Sequence, residues 1–317
     1  MENITAPRFT NEDAARTYLE SLQWPEGPFC PHCGSLNATR LPAQRGRPTK
    51  AHPEGAIRNG VVQCNDCRKQ YSVTVGTVFE SSKVPLHKWL LANHLLCSSK
   101  KGMSAHQLHR MLGVTYKTAW FMTMRIREAM RPVETPPMGG TGGRVEADET
   151  YIGRVKGQDA PRGGFRHKMR VVSLVDRETG IARSFVSDSK SVGDVANIVR
   201  ANIDRETKLT TDEARHYWAV GKEFAAHDRV LHGGNEYVRG DIHTNTIEGF
   251  FSIFKRGMKG VYQHCGEQHL HRYLAEFDFR YTNRSANGVE DAERADTALL
   301  GIAGKRVTYR RTDFAHA

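Results

Sequence analysis

The chain has 317 residues, 38% of them hydrophobic and 26% charged, with a net charge of +11. That length allows two or three small domains, or one large domain with appendages. No apolar run approaches the roughly 18–20 residues of a membrane span, and the first ten residues lack the hydrophobic stretch of a secretory signal, so a cytoplasmic protein without a membrane partner is expected.

The charge is unevenly placed. Residues 1–131 carry 18 Lys+Arg against 9 Asp+Glu, whereas residues 132–317 carry 28 against 26. A basic amino-terminal part favours a polyanionic partner, because phosphate neutralisation releases counterions. The bland alternative is that the charge only maintains solubility.

In chain order, residues 11–22 predict a short amphipathic helix, with Ala14, Ala15, Tyr18, Leu19 and Leu22 on one face. Two CxxC knuckles follow, Cys30-Pro-His-Cys33 and Cys64-Asn-Asp-Cys67. Four thiolates in paired knuckles match a closed, tetrahedral Zn²⁺ site and not a disulfide framework. Residues 61–63 and 70–75 read as strands of a zinc ribbon. His32, inside the first knuckle, is a rival ligand that four sulfurs make unnecessary. Cys97 and Cys265 fall in expected helices as core thiols. Between the knuckles, residues 37–60 form a basic insertion in which Arg45-Gly-Arg47-Pro reads either as a minor-groove hook or as a solvated loop.

From Pro85 the pattern turns helical, with Leu86, Trp89, Leu90, Asn93, Leu96 and Cys97 on one face. Residues 103–112 predict a second helix, capped by Ser104. Gly113-Val114 makes a turn, and Thr115 caps a third helix. Helix, Gly-containing turn and capped helix predict a helix-turn-helix unit whose Thr115, Tyr116 and Lys117 meet DNA; a plain helical hairpin is the other reading.

Residues 131–143, rich in Pro and Gly, mark a domain boundary. Beyond it the texture is α/β. Strands are expected at 144–148, 169–176 and 181–187, the last two as a hairpin across Arg177-Glu-Thr-Gly180. Ser191-Val-Gly-Asp194 reads as a capping box before a helix holding Val195, Ile198 and Val199 inside. A short strand, 208–212, ends in Asp212. Residues 243–256 predict a helix with two faces: Asn245, Glu248, Ser252 and Lys255 are polar, while Ile247, Phe250, Phe251, Phe254 and Met258 are apolar. A last helix is expected near 296–302, followed by a basic tail.

Asp148, Asp212 and Glu248 thus sit on strand, strand and helix, with Lys255 two turns beyond the last. A lone Asp at a strand end is most often a cap or turn residue, as Asp176 is read. Three such carboxylates together suit Mg²⁺ (or Mn²⁺), which takes a few carboxylates plus water and phosphate oxygens. A pair of such ions about 3.5–4 Å apart activates the attacking oxygen and stabilises the departing 3′ oxygen. Glu146 shares the strand face of Asp148 and is the rival for a metal role. Glu149 and Glu213 are expected to face away, toward solvent or a cation. Lys255 and Arg256 are placed to grip phosphates.

The segments Val145-Glu-Ala-Asp-Glu-Thr-Tyr-Ile-Gly153, Thr211-Asp-Glu-Ala214, Tyr237 through Gly257 and His271 through Arg280 resemble the ISXO2-like insertion-sequence transposases. Cys67 through Phe79 and Leu112 through Trp120 resemble that family's amino-terminal half. The resemblance implies a multidomain α/β chain: zinc ribbon (1–80), helix-turn-helix (81–131), linker (132–143), a ribonuclease H-like core of mixed sheet with flanking helices (144–285) and a tail (286–317). It implies a nucleoid-associated DDE enzyme that binds terminal repeats, cuts and joins DNA with Mg²⁺, and works as a dimer or larger assembly on transposon ends and target. The family's third catalytic position is sometimes Asn and sometimes Glu; both Asn245 and Glu248 occur in the motif, and Glu248 is taken because Lys255 follows it by seven residues. Asn245 is then assigned to DNA. A catalytically dead DNA-binding regulator, and a nuclease or resolvase that cuts without joining, are the competing readings.

Overall fold

A computed structural model describes residues 4–50, 53–159, 164–165, 167–187, 193–234 and 238–308. The chain divides into two compact units. One comprises Met1–Ser98, Ala105–Met130 and Asp291–Ala317; the other comprises Ser99–Ser104 and Arg131–Glu290. No helix among the described residues is long and apolar enough to cross a membrane.

The first unit opens with α1 (Pro7–Thr10) and α2 (Glu12–Gln23). The Asn11 side chain accepts the Ala14 amide at 2.9 Å, which caps α2, and Ala15 and Leu19 are buried on the expected face. The strands β1 (Ala38–Arg40), β2 (Gln44–Arg45), β3 (Ile57–Arg58), β4 (Val62–Cys64) and β5 (Gln70–Tyr71) are short. β4 pairs antiparallel with both β1 and β5, whereas β2 and β3 form a separate hairpin in the basic insertion. The helices α3 (Leu86–Ser98), α4 (Ala105–Leu112) and α5 (Tyr116–Ala129) follow. All six residues expected on one face of α3 are buried. α4 and α5 are joined by Gly113-Val114-Thr115; Gly113 has φ 61°, and Thr115 Oγ1 accepts the Thr118 amide at 3.2 Å.

The second unit is built on β6 (Arg144–Ile152), β7 (Met169–Asp176), β8 (Ala182–Ser187), α6 (Gly193–Asn202), β9 (Lys208–Thr211), α7 (Tyr217–Gly221) and β10 (Ala226–Arg229). The sheet order is β10-β9-β6-β7-β8. β6, β7 and β8 form an antiparallel meander, while β9 pairs parallel with β6 and β10 parallel with β9. The expected strands at 144, 169, 181 and 208 are all present, but the first runs on to Ile152, so Asp148 lies mid-strand and not at a strand end, while Asp212 directly follows β9. β10, with the sequence Ala-His-Asp-Arg, has no alternation and escaped the pattern. Ser191 lies outside the described residues, so its capping box has no structural account.

A two-stranded hairpin, β11 (Val238–Arg239) with β12 (Ile242–His243), leads into α8 (Asn245–Gly257), and α9 (Glu267–Thr282) follows. One sheet face buries Val145, Ala147, Val172 and Leu174 against Val195 and Val199 of α6 and Tyr217 and Val220 of α7. The opposite face receives α8 and α9. Phe254 meets Phe277 edge-on at 5.2 Å, and Phe250 meets Tyr281 at 5.1 Å, so these rings bind the two helices together. Asp278 of α9 accepts both the amide and the hydroxyl of Ser184 on β8, at 2.7 and 2.6 Å, which pins α9 to the sheet.

Two sequence expectations change. Cys265 lies in the segment before α9, not in a helix; the Pro-free polar run Gln-His-Cys-Gly ends the preceding turn. Residues 286–317 are not simply a tail, because α10 (Asp291–Leu300) packs in the first unit. Asn93 Nδ2 of α3 donates to the Ala295 carbonyl at 2.8 Å, and Ala295, Ala298 and Leu299 are buried.

Gly257, the last residue of α8, has no room for a side chain. A Cβ there would stand 2.4 Å from Phe277 Cζ and 2.7 Å from the Lys101 carbonyl oxygen. Gly257→Ala is expected to destabilise the second unit by about 1–3 kcal/mol through overpacking, read as a fall in the denaturation midpoint; an unchanged midpoint would show that α8 and α9 do not approach so closely.

Candidate active site

The site in the second unit begins with strand register. β6 and β9 run parallel, with Arg144 level with Lys208, Val145 with Leu209 and Glu146 with Thr210. That ladder ends two residues short of Asp148 and of Asp212, which directly follows the last residue of β9. The two chains run on in the same direction, and the Asp212 charge is felt at the Asp148 carboxyl, so the two carboxylates lie near one another. Asp148 is also paired across the sheet with Ser173 of β7, in the interior of the meander.

This crowding has an electrostatic cost. Burial, followed by the charges of Asp212, Glu149 and Glu248, pushes the Asp148 carboxyl from its ordinary 3.8 to about 8. Burial also raises Asp212, with Glu149 and Glu213 adding to the shift, while the Ala214 amide and His216 pull the other way. Asp212 Oδ1 accepts that amide at 3.0 Å. Among the described residues, no Lys or Arg forms an ion pair with Asp148 or Asp212. A divalent cation would relieve this repulsion, and the donor set, all carboxylate oxygen, suits Mg²⁺ or Mn²⁺.

Glu248 lies in the first turn of α8, exposed, and its Oε1 accepts the Thr244 hydroxyl at 2.9 Å. Asn245, Ser252 and Lys255 are exposed on the same helix, while Ile247, Phe250, Phe251, Phe254 and Met258 are buried, so the two expected faces are present. Lys255 Nζ stands 5.7 Å over the Phe251 ring. Arg256 is turned back onto its own helix, bonding the Ser252 carbonyl and hydroxyl at 3.0 and 2.7 Å.

Two acidic neighbours behave differently from expectation. Glu149 does not face solvent: its Oε2 accepts the Tyr217 hydroxyl at 2.9 Å and lies 3.0 Å from His216 Nε2. Glu146 is fully buried and bonded to Arg177 and to the Ile247 amide. Neither partner set was visible in sequence spacing. The only available signal was an acidic residue alternating with Asp148 on an otherwise apolar strand.

In the first unit, the sulfurs of Cys30, Cys33, Cys64 and Cys67 all lie within 4.8 Å of one another. Cys30 to Cys67 and Cys33 to Cys64 are both 3.6 Å. The two knuckles turn alike: the Cys30 carbonyl accepts from Gly34 at φ 77°, and the Cys64 carbonyl accepts from Arg68 at φ 62°. The Cys67 amide donates to Cys64 Sγ and helps bring that thiol down to about 7, which favours a thiolate ligand. Among the described residues no other His, Cys, Asp or Glu group converges so tightly, and Asp148, Asp212 and Glu248 do not.

The residues assigned to DNA are distributed over both units. Arg45 bonds the Glu54 carboxylate and carbonyl at 3.2 and 3.0 Å, inside the β2–β3 hairpin, while Arg47 is exposed. Tyr116 is exposed and stacks on His106 with centroids 4.2 Å apart, Lys117 is exposed, and Thr115 serves as the cap of α5. Asn245, Lys255 and Arg256 belong to the second unit.

Residues 141–282 match the ISXO2-like transposase domain, and residues 10–70 match the transposase zinc-ribbon domain. The chain belongs to the ISXO2-like transposase family. The four-cysteine cluster, which could hold a metal ion, lies within the stretch that matches the zinc-ribbon domain. A Halobacterium salinarum protein described as an uncharacterized protein in transposable element ISH50 is 27% identical over 290 residues, covering 86% of this chain and 91% of that one. A simian T-cell lymphotropic virus intasome, solved in complex with PP2A regulatory subunit B56 gamma, aligns at 12% identity and a TM-score of 0.29, covering 54% of this chain and 63% of that one. A superposition that loose adds nothing to the fold described above.

Zinc analysis of this ISXO2-like chain is expected to give one Zn²⁺ per molecule by elemental analysis. Cys64→Ser should lose the metal and the protease resistance of residues 30–71, because a structural zinc site supplies folding free energy directly. Full metal content in that variant would remove the four-sulfur site.

Proposed function

We propose that the protein is a DDE-type transposase in which Asp148, Asp212 and Glu248 hold catalytic Mg²⁺ or Mn²⁺. The observation that carries this reading is that Asp148 and Asp212 lie near one another and half-buried, the Asp212 charge raising the Asp148 carboxyl, with no Lys or Arg ion-paired to either among the described residues. The sheet order agrees with it: a three-stranded antiparallel meander followed by two parallel strands, with helices on both faces, is the layout of a ribonuclease H-like core. Bound ions there would activate the attacking water or 3′ hydroxyl and stabilise the departing 3′ oxygen.

The chain's own residues would do the rest. Asp148 and Asp212 fix one side of the site from the rigid centre of the sheet, and Glu248 supplies the third carboxylate from the α8 face. Lys255 is exposed two turns along the same face and would hold a phosphate of the transposon end; Asn245, one turn before Glu248, and Arg256 would contact neighbouring backbone. In the first unit, Tyr116 and Lys117 at the start of α5 would enter the major groove, as in a helix-turn-helix, with α4 behind them. Arg47 would reach the narrower groove, with Arg45 anchored by Glu54 at its base. Synapsis of two ends calls for a dimer or larger assembly, acting at the nucleoid in the cytoplasm.

A catalytically dead regulator with the same DNA-binding parts is the competing reading, and Asp148→Ala separates the two. Cleavage of inverted-repeat DNA with Mg²⁺ should fall by at least about 10³-fold, the scale of losing a metal-held reaction centre, while repeat binding in a mobility-shift assay stays unchanged. Cleavage equal to wild type would end the catalytic assignment. Strand transfer by precleaved ends excludes a pure nuclease, which would give no joined product.

The raised Asp148 carboxyl gives a second expectation. Because the folded chain holds it at about 8 against an ordinary 3.8, the metal-free protein loses stability as pH rises between those values. A cation bound by the ionised form reverses that loss, so Mg²⁺ or Mn²⁺ should raise the melting temperature more at pH 8 than at pH 6. Asp148→Asn should raise the metal-free melting temperature at pH 8 and abolish the pH dependence of the metal response. A metal response equal at both pH values in wild type would contradict this.

A further inference from the structure

Glu146 stands two residues before Asp148, so both project from the same face of β6. It is fully buried, yet both carboxylate oxygens are engaged. Oε2 accepts the Ile247 amide of α8 at 2.9 Å. Ile247 immediately precedes Glu248 and lies in the first turn, where backbone amides have no acceptor within their own helix. Glu146 therefore caps α8 from a different element, and its negative charge faces the positive end of the helix dipole. Oε1 accepts Arg177 Nε and Nη2 at 2.9 and 2.7 Å. The same guanidinium donates to the Asp241 and His243 carbonyls at 2.7 and 2.8 Å. His243 Nδ1 is 3.6 Å from Oε1 and 3.2 Å from Arg177 Nη2.

The segment from Asp241 to Ile247 is thus tied to the strand that carries Asp148 by three backbone contacts, all of them through Glu146 or its partner Arg177. Arg144, on the same strand face, adds a fourth tie through Asp241 Oδ2 at 2.9 Å.

We propose that Glu146 and Arg177 are positioning residues that set the separation of Asp148 and Glu248, and that Glu146 is not a metal ligand. The inference rests on the catalytic reading of those two carboxylates. Both Glu146 oxygens already accept hydrogen bonds and the side chain is fully buried, whereas Asp148 is half-buried with the adjacent Glu149 amide on Oδ1. Replacing Glu146 by Gln keeps the shape but puts an amide donor against either the Ile247 amide or the guanidinium. Arg177→Lys keeps the charge but cannot span the carboxylate and both carbonyls at once.

The test compares wild type, Glu146→Gln, Arg177→Lys and Asp148→Asn as full chains. Amide hydrogen exchange on the metal-free proteins is the readout independent of activity: exchange in residues 241–248 should accelerate about tenfold or more in the first two variants, with β7 unchanged, as local opening requires. Single-turnover cleavage of repeat DNA should fall roughly 10- to 100-fold in kcat, the usual effect of losing a supporting partner, with KM for DNA within about twofold. The melting-temperature response to Mg²⁺ should survive in both and vanish in Asp148→Asn. Exchange and kcat both at wild-type values would overturn the proposal, as would a Glu146→Gln protein that loses its Mg²⁺ response as Asp148→Asn does, since that result makes Glu146 a ligand. Should Glu146→Gln not fold, Arg177→Lys is read by the same criteria. Should wild type fail to cleave, the catalytic reading falls, while the exchange data still decide whether these two side chains hold α8.

Discussion

Parallel pairing of β6 with β9 is the constraint on which the second unit depends. The pairing sets the two strands side by side in the same direction, and just beyond the paired residues Asp148 and Asp212 come close enough to interact at a place where burial already disfavours charge. A folded protein does not collect repelling carboxylates without a compensating charge. The surrounding structure spends its own strong contacts elsewhere: Arg144 on Asp228 and Asp241, Arg177 on Glu146, Tyr217 on Glu149. Arg144 and Arg177 thus hold the frame, and on the proposed reading the carboxylate pair is left for a divalent cation.

The helix α8 solves a second problem, that of presenting a polar face without loosening the fold. Its aromatic face is locked by Phe277 and Tyr281 of α9, and α9 is itself pinned to β8 by Asp278. Burial pushes that carboxyl up to about 7, against the two Ser184 hydrogen bonds and the Arg183 charge, which favour its ionised form. Glu248 and Lys255 can therefore remain exposed to a substrate while their backbone stays fixed.

Much of this was legible in the sequence, and the reasons differ by element. The strand at 169–176 announces itself because both faces are covered, which leaves a near-continuous apolar run before a Gly-containing turn. α8 is legible because its two faces differ so strongly. The four cysteines are legible because thiolate spacing follows from the metal's geometry. The edge strand 226–229 is not, since an exposed edge needs no alternation, and neither is the role of Glu146. A buried carboxylate looks in sequence like any acidic residue near a catalytic Asp; only the position of Ile247 and Arg177, 101 and 31 residues away, shows it to be a helix cap. The placement of α10 in the first unit was hidden for the same reason, because Asn93 and Ala295 are 202 residues apart.

Asp148 and Asp212 are proposed to share divalent cations. Anomalous diffraction from crystals of the protein with repeat-end DNA and Mn²⁺ tests it most directly. Manganese peaks are expected, two of them about 3.5–4 Å apart when DNA is bound, with at least one contacting both Asp148 and Asp212. Manganese absent from those two side chains at saturating concentration, or bound instead by Glu146, would contradict it.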